Sequence, residues 1–429
     1  MTFLHSIPLL RLPLRRLVWL VLLTGLLPWA RAEEMPGDKW RTVSGVVRDQ
    51  ETRRGLPYAT IALPNNEVGT VSNADGEFIL KIPEAEAKQL KVSHLGYSTV
   101  VVDLPDEEQG KKRLTIWMEP TATLLPQVMV SGRDPRELVE EALLRIDRNY
   151  ANTPLLLTGF YRETARKRRH FINIAEAVVE LTKTPYAEGW SDRDRAKVLK
   201  GRKLLSQKSG DTLAVKLLGG PTMGIDLDIV KNTEAFLTLD MMDFFGYQLE
   251  SVSTIDDRYH YVVAFYPRIT TDYALYHGRY FIDMETLTLT RAEFMLDLTD
   301  RAKATRSILH SKPASLRFRP VEVAYTVDYK RSGQRSRMNY VRSEICFKCD
   351  WKRKLFSTEY TVVSELVVTD SRPIVDGRGI ARNEQFRRGQ VLSDEASLFY
   401  DPDFWGDYNI IAPEESLEHA VKKLRKQDN

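Results

Sequence analysis

Gly69-Thr-Val-Ser-Asn-Ala-Asp-Gly-Glu-Phe78 spells a short strand, a tight turn and the start of a second strand. Asp75 and Gly76 tolerate the positive φ that a two-residue hairpin asks of its central positions, and Phe78 supplies a core aromatic just past the turn. Working outward, apolar runs of strand length recur between turn residues. The candidate strands are 43–47, 58–63, 68–72, 77–82, 90–93, 99–104 and 113–118, with Gly55-Leu56-Pro57 opening the second and Gly96 before Tyr97 permitting a bend. So many short strands in so few residues predict a β-sandwich.

The ordered motifs Ser44-Gly-Val-Val47, Gly55-Leu-Pro-Tyr-Ala-Thr-Ile61, Gly69 to Phe78 and Ser93-His-Leu-Gly-Tyr97 resemble the carboxypeptidase-regulatory-like module. That resemblance covers residues 42–119 and implies a seven-stranded transthyretin-like, Ig-like sandwich of the type frequent in envelope proteins of the Bacteroidetes. The matching residues are folding residues, so the resemblance implies a fold and no chemistry.

The chain opens with a stretch that carries Arg11, Arg15, Arg16 and Arg31, no acid, the apolar run Leu17 to Leu27, and small residues at Ala30 and Ala32. A positive start, a short apolar run and an A-x-A-like site predict a signal peptide over residues 1–32, cleaved on export. Its removal takes away four Arg and leaves 58 Lys plus Arg against 59 Asp plus Glu. The mature chain then has no overall basic field for nucleic acid or anionic lipid. The local cluster Arg166 to His170 reads as the cap of a hairpin.

After the sandwich comes a connector and helix, 120–153, with one extra strand at Gln127 to Val130. The helix has Asp134 as N-cap, Pro135 in its first turn, and Leu138, Ala142, Leu143, Ile146 and Tyr150 on one face. Residues 154–370 then alternate in longer strands: 155–163, 171–181, 247–254, 260–266, 274–283, 287–298, 321–329, 337–347 and 356–368. Consecutive strands without helices between them predict a larger antiparallel meander, either a half-barrel or a closed barrel, with a few helices. An integral outer-membrane barrel is disfavoured by charged residues on both strand faces, as in Arg291 to Asp297, and by the polar helix that closes the chain. The stretch Arg193 to Lys231 reads as helix and loop, a lid over an open sheet. The stretch Gly278 to Glu293 resembles a hairpin of periplasmic lipoprotein-carrier half-barrels. Thr158-Gly-Phe-Tyr-Arg-Glu163 and Phe404-Trp-Gly-Asp-Tyr-Asn-Ile-Ile-Ala-Pro-Glu414 resemble segments of carboxypeptidase-regulatory-like envelope proteins. Residues 371–429 are a loop and a C-terminal helix, with Leu417, Val421 and Leu424 on one face and a basic end. That end suits the helix dipole or a peripheral contact with a membrane surface.

Chemistry is harder to find. A zinc carboxypeptidase needs an H-x-x-E pair and a later His. The histidines are His5, His94, His170, His260, His277, His310 and His419, none followed by Glu three residues on. H-E-x-x-H, a G-x-S-x-G elbow and a Walker loop are absent. No metal, cofactor or catalytic residue is therefore assigned. Asp226 with Asp228, Asp256 with Asp257, and Asp401-Pro-Asp403 could serve a glycosidase or calcium, but acids of this kind are common in solvated turns. Tyr261, Phe265, Tyr276 and Tyr280 are candidate ligand-lining residues on a concave sheet, against the plainer reading that they fill a core. Cys346 and Cys349 are a candidate disulfide. A straight strand, at about 3.3 Å per residue, would hold them roughly 10 Å apart, so a bridge requires a turn. The expectation is a non-catalytic, exported periplasmic or outer-membrane-associated protein that binds or scaffolds an envelope partner or a hydrophobic ligand. The alternatives are a lipid or lipoprotein carrier and an enzyme whose site assembles only in three dimensions.

Overall fold

Turn chemistry sets the N-terminal architecture. Strands β1 (Trp40–Asp49), β2 (Thr60–Ala62), β3 (Gly69–Val71), β4 (Glu77–Pro83), β5 (Gln89–Ser93), β6 (Val100–Asp103) and β7 (Leu114–Met118) form two sheets, ordered β4-β1-β7 and β3-β2-β5-β6. Alternation supplies the core between them: Val47, Ile61, Phe78, Leu80, Ile82, Leu90, Val92 and Met118 are almost fully buried. Each such side chain contributes about 1.5–3 kcal/mol. The hairpin expected at Asp75-Gly76 is instead a corner, because β3 and β4 belong to different sheets. Gly76 is nonetheless required there: its φ is +82°, and a Cβ would lie 2.5 Å from the Val47 carbonyl oxygen.

The computed structural model describes residues 40–64, 66–83, 88–104, 113–121, 132–206, 208, 213, 215–217, 220–232, 237–351, 356–375, 377–398 and 404–428. The signal segment, the extra strand at Gln127 to Val130 and the acids Asp401 and Asp403 lie outside them.

Helix α1 (Pro135–Leu144) starts as expected, with the Asp134 carboxylate accepting from the Arg136 amide and Pro135 in the first turn. A short continuation, α2 (Ile146–Asn149), follows. The chain then enters β8 (Leu155–Lys167) and β9 (His170–Lys183), joined at Arg168 and Arg169, so the basic cluster does sit on a hairpin turn. The remaining strands are β10 (Arg195–Leu205), β11 (Lys216–Leu217), β12 (Phe245–Ile255), β13 (Arg258–Pro267), β14 (Tyr276–Asp283), β15 (Leu289–Leu296), β16 (Leu309–Ser311), β17 (Leu316–Ser332), β18 (Arg335–Trp351), β19 (Thr358–Pro373) and β20 (Ser397–Leu398). Between them lie α3 (Met223–Asp226), α4 (Arg301–Ile308) and α5 (Leu392–Glu395), and α6 (Glu415–Asp428) follows.

One eleven-stranded sheet runs β12-β13-β14-β15-β17-β18-β19-β8-β9-β10-β20, antiparallel apart from the two-residue β20 beside β10. It is open, with β12 and β20 at its edges, and not a closed barrel. Where helix and loop were expected after Arg193, β10 pairs along most of β9; a bulge between Val198 and Lys200 interrupts its alternation.

Period-two alternation gives this sheet two distinct faces. The inner face carries Leu157, Tyr161, Val179, Leu181, Val341 and Leu366 and is covered by α1, α2 and the 223–230 segment. The outer face carries Phe160, Val178, Tyr340 and Val367, which pack on Val71 of the sandwich and on Trp405 and Ile411. Helix α6 docks on the same side through Leu417, against Ile174 and Leu204. Residues Trp40–Asn429 thus form one compact unit. Among the described residues no helix is long and apolar enough to cross a membrane.

Candidate functional site

Four residues that carry charge are almost completely withdrawn from water at one end of the inner face: Lys183, Asp194, Asp228 and Lys231, with side chains between 0 and 2% exposed. Lys183 is the last residue of β9, where Pro185 ends the strand because it has no N–H to donate. The chain then makes a single 3-10 turn, Tyr186–Glu188, reverses at Gly189 (φ +65°), and returns through Asp194 into β10. Asp194 closes this loop by accepting from the Thr184 amide at 2.7 Å and its hydroxyl at 2.9 Å. Asp228 and Lys231 come from the segment after α3. The Gly224 backbone in α3 lies so close to Leu366, Leu181 and Met338 that a Cβ would approach Leu366 Cδ2 to 2.4 Å.

The bonding is reciprocal. Lys183 Nζ lies 2.8 Å from one Asp228 oxygen and 3.7 Å from Asp194. Tyr186 donates to Asp228 at 3.0 Å and Tyr329 donates to its other oxygen at 2.9 Å. Each hydroxyl also accepts a backbone N–H, from Met338 and Val230 respectively. Lys231 donates to the Thr184 hydroxyl and the Pro185 carbonyl, both at 2.7 Å, and sits 3.8 Å from Asp194. Two cations and two anions cancel, both Asp228 oxygens and one Asp194 oxygen accept hydrogen bonds, and the other Asp194 oxygen faces the two ammoniums, the condition under which buried charge is tolerated. Burial pushes the Lys231 ammonium down from its ordinary value, and the Lys183 charge beside it adds to this against the pull of Asp194. Burial also works against the Lys183 ammonium, but Asp228 and Asp194 outweigh it and hold that group up. The Tyr186 and Tyr329 hydroxyls are held well above theirs by burial, reinforced by the Asp228 charge.

Above Asp194 opens a cleft of about 240 Å³. Trp190, Ser191, Asp192 and Arg195 form one wall and Gln385, Phe386, Arg387 and Arg388 the other, with Thr222 and Ile225 beneath. The second wall is pinned where Phe386 donates its N–H to the Ala196 carbonyl at 2.7 Å. Arg388 pairs with Asp226, whose carboxyl is pushed up by burial in spite of that partner. Arg195 donates from Nη1 to the Ile380 carbonyl at 2.9 Å, while its buried Nε has no partner among the described residues.

The four candidate aromatics are largely packing residues. Phe265 and Tyr280 are 2% exposed and stack on each other at 4.2 Å. Tyr276 meets Phe294 edge-on at 5.5 Å and Tyr261 is half-buried against the same core. Tyr280 also lines an apolar cavity under α1 and α2 with Val139, Ala142, Tyr150, Leu237 and Leu289, but its space is only about 10 Å³. That is the room of a single water at most.

The disulfide does not form. Cys346 and Cys349 sit on one continuous strand, β18, on opposite faces, and both are free. Burial raises both thiols, Cys349 to about 11, so neither is a reactive thiolate near neutral pH.

The paired acids part company. Asp228 enters the buried network while Asp226 goes to Arg388. Asp256 and Asp257 hold the sandwich, through Lys91 at 2.5 Å and the Thr99 amide at 2.8 Å. Among the described residues no group of three His, Cys, Asp or Glu could hold a metal ion. Sequence reading missed Lys183 and Lys231. The signal available was a lysine ending the apolar run Phe171 to Leu181 and an Asp-Ile-Val-Lys tetrapeptide, 228–231, inside another.

No curated protein matches the chain. Two solved structures resemble it distantly. A DUF1329 family protein from Desulfovibrio piger is 13% identical, with a TM-score of 0.26 over 57% of this chain and 96% of that one. A LolA superfamily protein from Nitrosomonas europaea is 13% identical, with a TM-score of 0.22 over 60% of this chain and 99% of that one. A family model matches residues 43–130, so the sandwich at the start of the described chain is a CarboxypepD_reg-like domain.

Proposed function

We propose that this is an exported, non-catalytic binding protein of the cell envelope. In this reading the CarboxypepD_reg-like sandwich is fixed to the outer face of the large sheet, and recognition takes place in the cleft above Asp194. The observation that carries it is the buried network behind Asp194, the one member of it that lines the cleft. Asp194, Asp228, Lys183 and Lys231 are consumed by one another and by Thr184, Tyr186 and Tyr329, which holds the wall rigid. A rigid wall spares a ligand the cost of ordering it. Groups so engaged are suited to shaping a cavity rather than to moving protons within it.

Fractionation of cells that express the full chain with a C-terminal tag tests the address. The mature protein should appear in the envelope fraction with Glu33 as its first residue. Recovery from the cytosol with Met1 retained contradicts the reading.

A second reading has a specific observation behind it, the apolar cavity lined by Tyr150 and Tyr280 under α1 and α2. If that helix pair lifts, the aromatic inner face becomes a surface for an acyl chain or hydrophobic peptide, as in a lipid or lipoprotein carrier. A solvatochromic acyl probe should then bind with one-to-one stoichiometry and be displaced by long-chain fatty acid. Binding that is absent, or that occurs only on thermal unfolding, rejects it.

A further inference from the structure

We propose that the cleft above Asp194 binds a single sugar ring that bears a carboxylate, a hexuronate. This deepens the binding-protein reading and rests on it. Three features of the cleft point the same way. Its volume of about 240 Å³ is below the roughly 300 Å³ at which drug-sized sites begin, so one ring fills it. Trp190 lines it with 43% of its surface exposed, an indole face of the kind that stacks on the apolar face of a pyranose. The same lining holds cationic capacity that the protein leaves unspent. Arg387 lines the cleft, and its guanidinium has no hydrogen bond or ion pair among the described residues. A guanidinium fork matches a carboxylate in geometry as well as charge.

The rest of the lining argues against a purely anionic ligand. Asp192, Ser191 and Gln385 lie in the same walls, and a carboxylate, a hydroxyl and an amide are the partners that ring hydroxyls need. An inorganic anion would use the arginines and waste these groups, and it would face Asp192. An aromatic carboxylate would use the arginines and Trp190 but leave the hydroxyl partners unmet. A hexuronate uses all of them.

Titration of the full chain with D-glucuronate, D-glucose, cyclohexanecarboxylate and inorganic phosphate, by calorimetry with hydrogen exchange read alongside, tests this. Glucuronate should bind at least about tenfold more tightly than the other three, the amount that a charge-assisted hydrogen bond supplies. It should slow exchange in residues 190–195 and 385–388. In Arg387→Ala the preference for glucuronate over glucose should fall to near one, and Trp190→Ala should weaken both sugars. A tetrasaccharide ending in glucuronate separates the two sources of this ligand, since a free monosaccharide site excludes it and a polysaccharide-end site accepts it. If glucose, cyclohexanecarboxylate or phosphate protects the cleft as well as glucuronate does, the hexuronate assignment is overturned while the cleft remains a binding site. If none of the four alters exchange there, the assignment fails together with the cleft.

Discussion

The two faces of the large sheet solve the same problem, burying charge, in different ways. On the outer face the carboxylates are held mainly by arginines. Arg162 pairs with Glu176 at 2.7 Å and also reaches the carbonyls of Ile411 at 2.6 Å and Ala412 at 3.2 Å. Arg202 joins the same Glu176 and lies over the Trp405 ring at 4.6 Å. Arg342 bridges Glu344 and Glu365 beneath Tyr58 of the sandwich. On the inner face the buried cations are lysines, sealed with two aspartates. The choice follows the geometry. A guanidinium is a planar fork that can serve a carboxylate and a passing backbone at once, which suits a surface where another segment docks. An ammonium is a compact charge, suited to a closed pocket.

The docked segment shows what the outer face is for. Residues 409–413 run between sandwich and sheet. Thr70 donates to the Ile410 carbonyl at 3.0 Å and Asn73 to the Pro413 carbonyl at 3.0 Å. Asn409 exchanges two hydrogen bonds with the Lys81 backbone, at 2.6 and 2.9 Å. The other side of this strap is held by Arg162. The motif Phe404 to Glu414, read in sequence as a family trait, is therefore a strap that fastens one layer to the next.

Removing one partner on each face sharpens the contrast. Asp228→Ala should have the largest effect, about 5 kcal/mol in denaturant unfolding, because it strands Lys183 and leaves the Tyr186 and Tyr329 hydroxyls without an acceptor. A loss below about 2 kcal/mol would mean that the network is not sealed. Arg162→Ala should cost less, about 3 kcal/mol, since Glu176 keeps Arg202. Its distinctive mark is faster amide exchange in residues 405–412. Unchanged exchange there would break the strap account.

Lys330 donates to the Asn66 carbonyl across the junction at 3.2 Å. Burial, with Arg337 nearby, pushes its ammonium down to about 8. A lysine lowered in the folded state opposes folding below that value, and the penalty fades as pH rises toward the unfolded value near 10.4. Stability should therefore climb between about pH 8 and 10, before the tyrosines begin to ionise in the unfolded chain, and Lys330→Met should flatten the climb. A slope that persists in Lys330→Met assigns it elsewhere.

The smallest effect belongs to Glu163 on the inner face, which accepts from Tyr161 at 2.9 Å and whose carboxyl is raised by burial. An acid raised in the folded state opposes folding once pH passes its unfolded value near 4.3, so Glu163→Gln should stabilise modestly at pH 7 and not at pH 4. Equal stability of the two proteins at pH 7 would contradict it.

What the sequence disclosed divides along the same line. The sandwich was legible because its turns need particular residues, Gly76 above all, and its strands alternate cleanly. The helix start at Asp134 and Pro135 was legible for the same local reason. Strand β10 was not, because Arg195-Ala-Lys-Val-Leu-Lys-Gly-Arg-Lys-Leu-Leu205 hides its alternation behind a bulge and spends its cations on partners such as Glu176 and Glu384. The corner at Asp75-Gly76 looked like a hairpin because a two-residue turn does not announce which sheet the next strand joins. The buried network was out of reach, since Lys183, Asp194, Asp228 and Tyr329 meet only through pairing and loop packing over more than a hundred residues.

Hydrogen exchange of the mature chain across a denaturant series tests most directly whether the outer face binds sandwich, strap and sheet into one body. Peptides from residues 59–72, 405–412, 160–179 and 340–367 should lose protection at one common denaturant concentration. Loss of protection in 59–72 well before 160–179 and 340–367 would show that the sandwich is merely tethered.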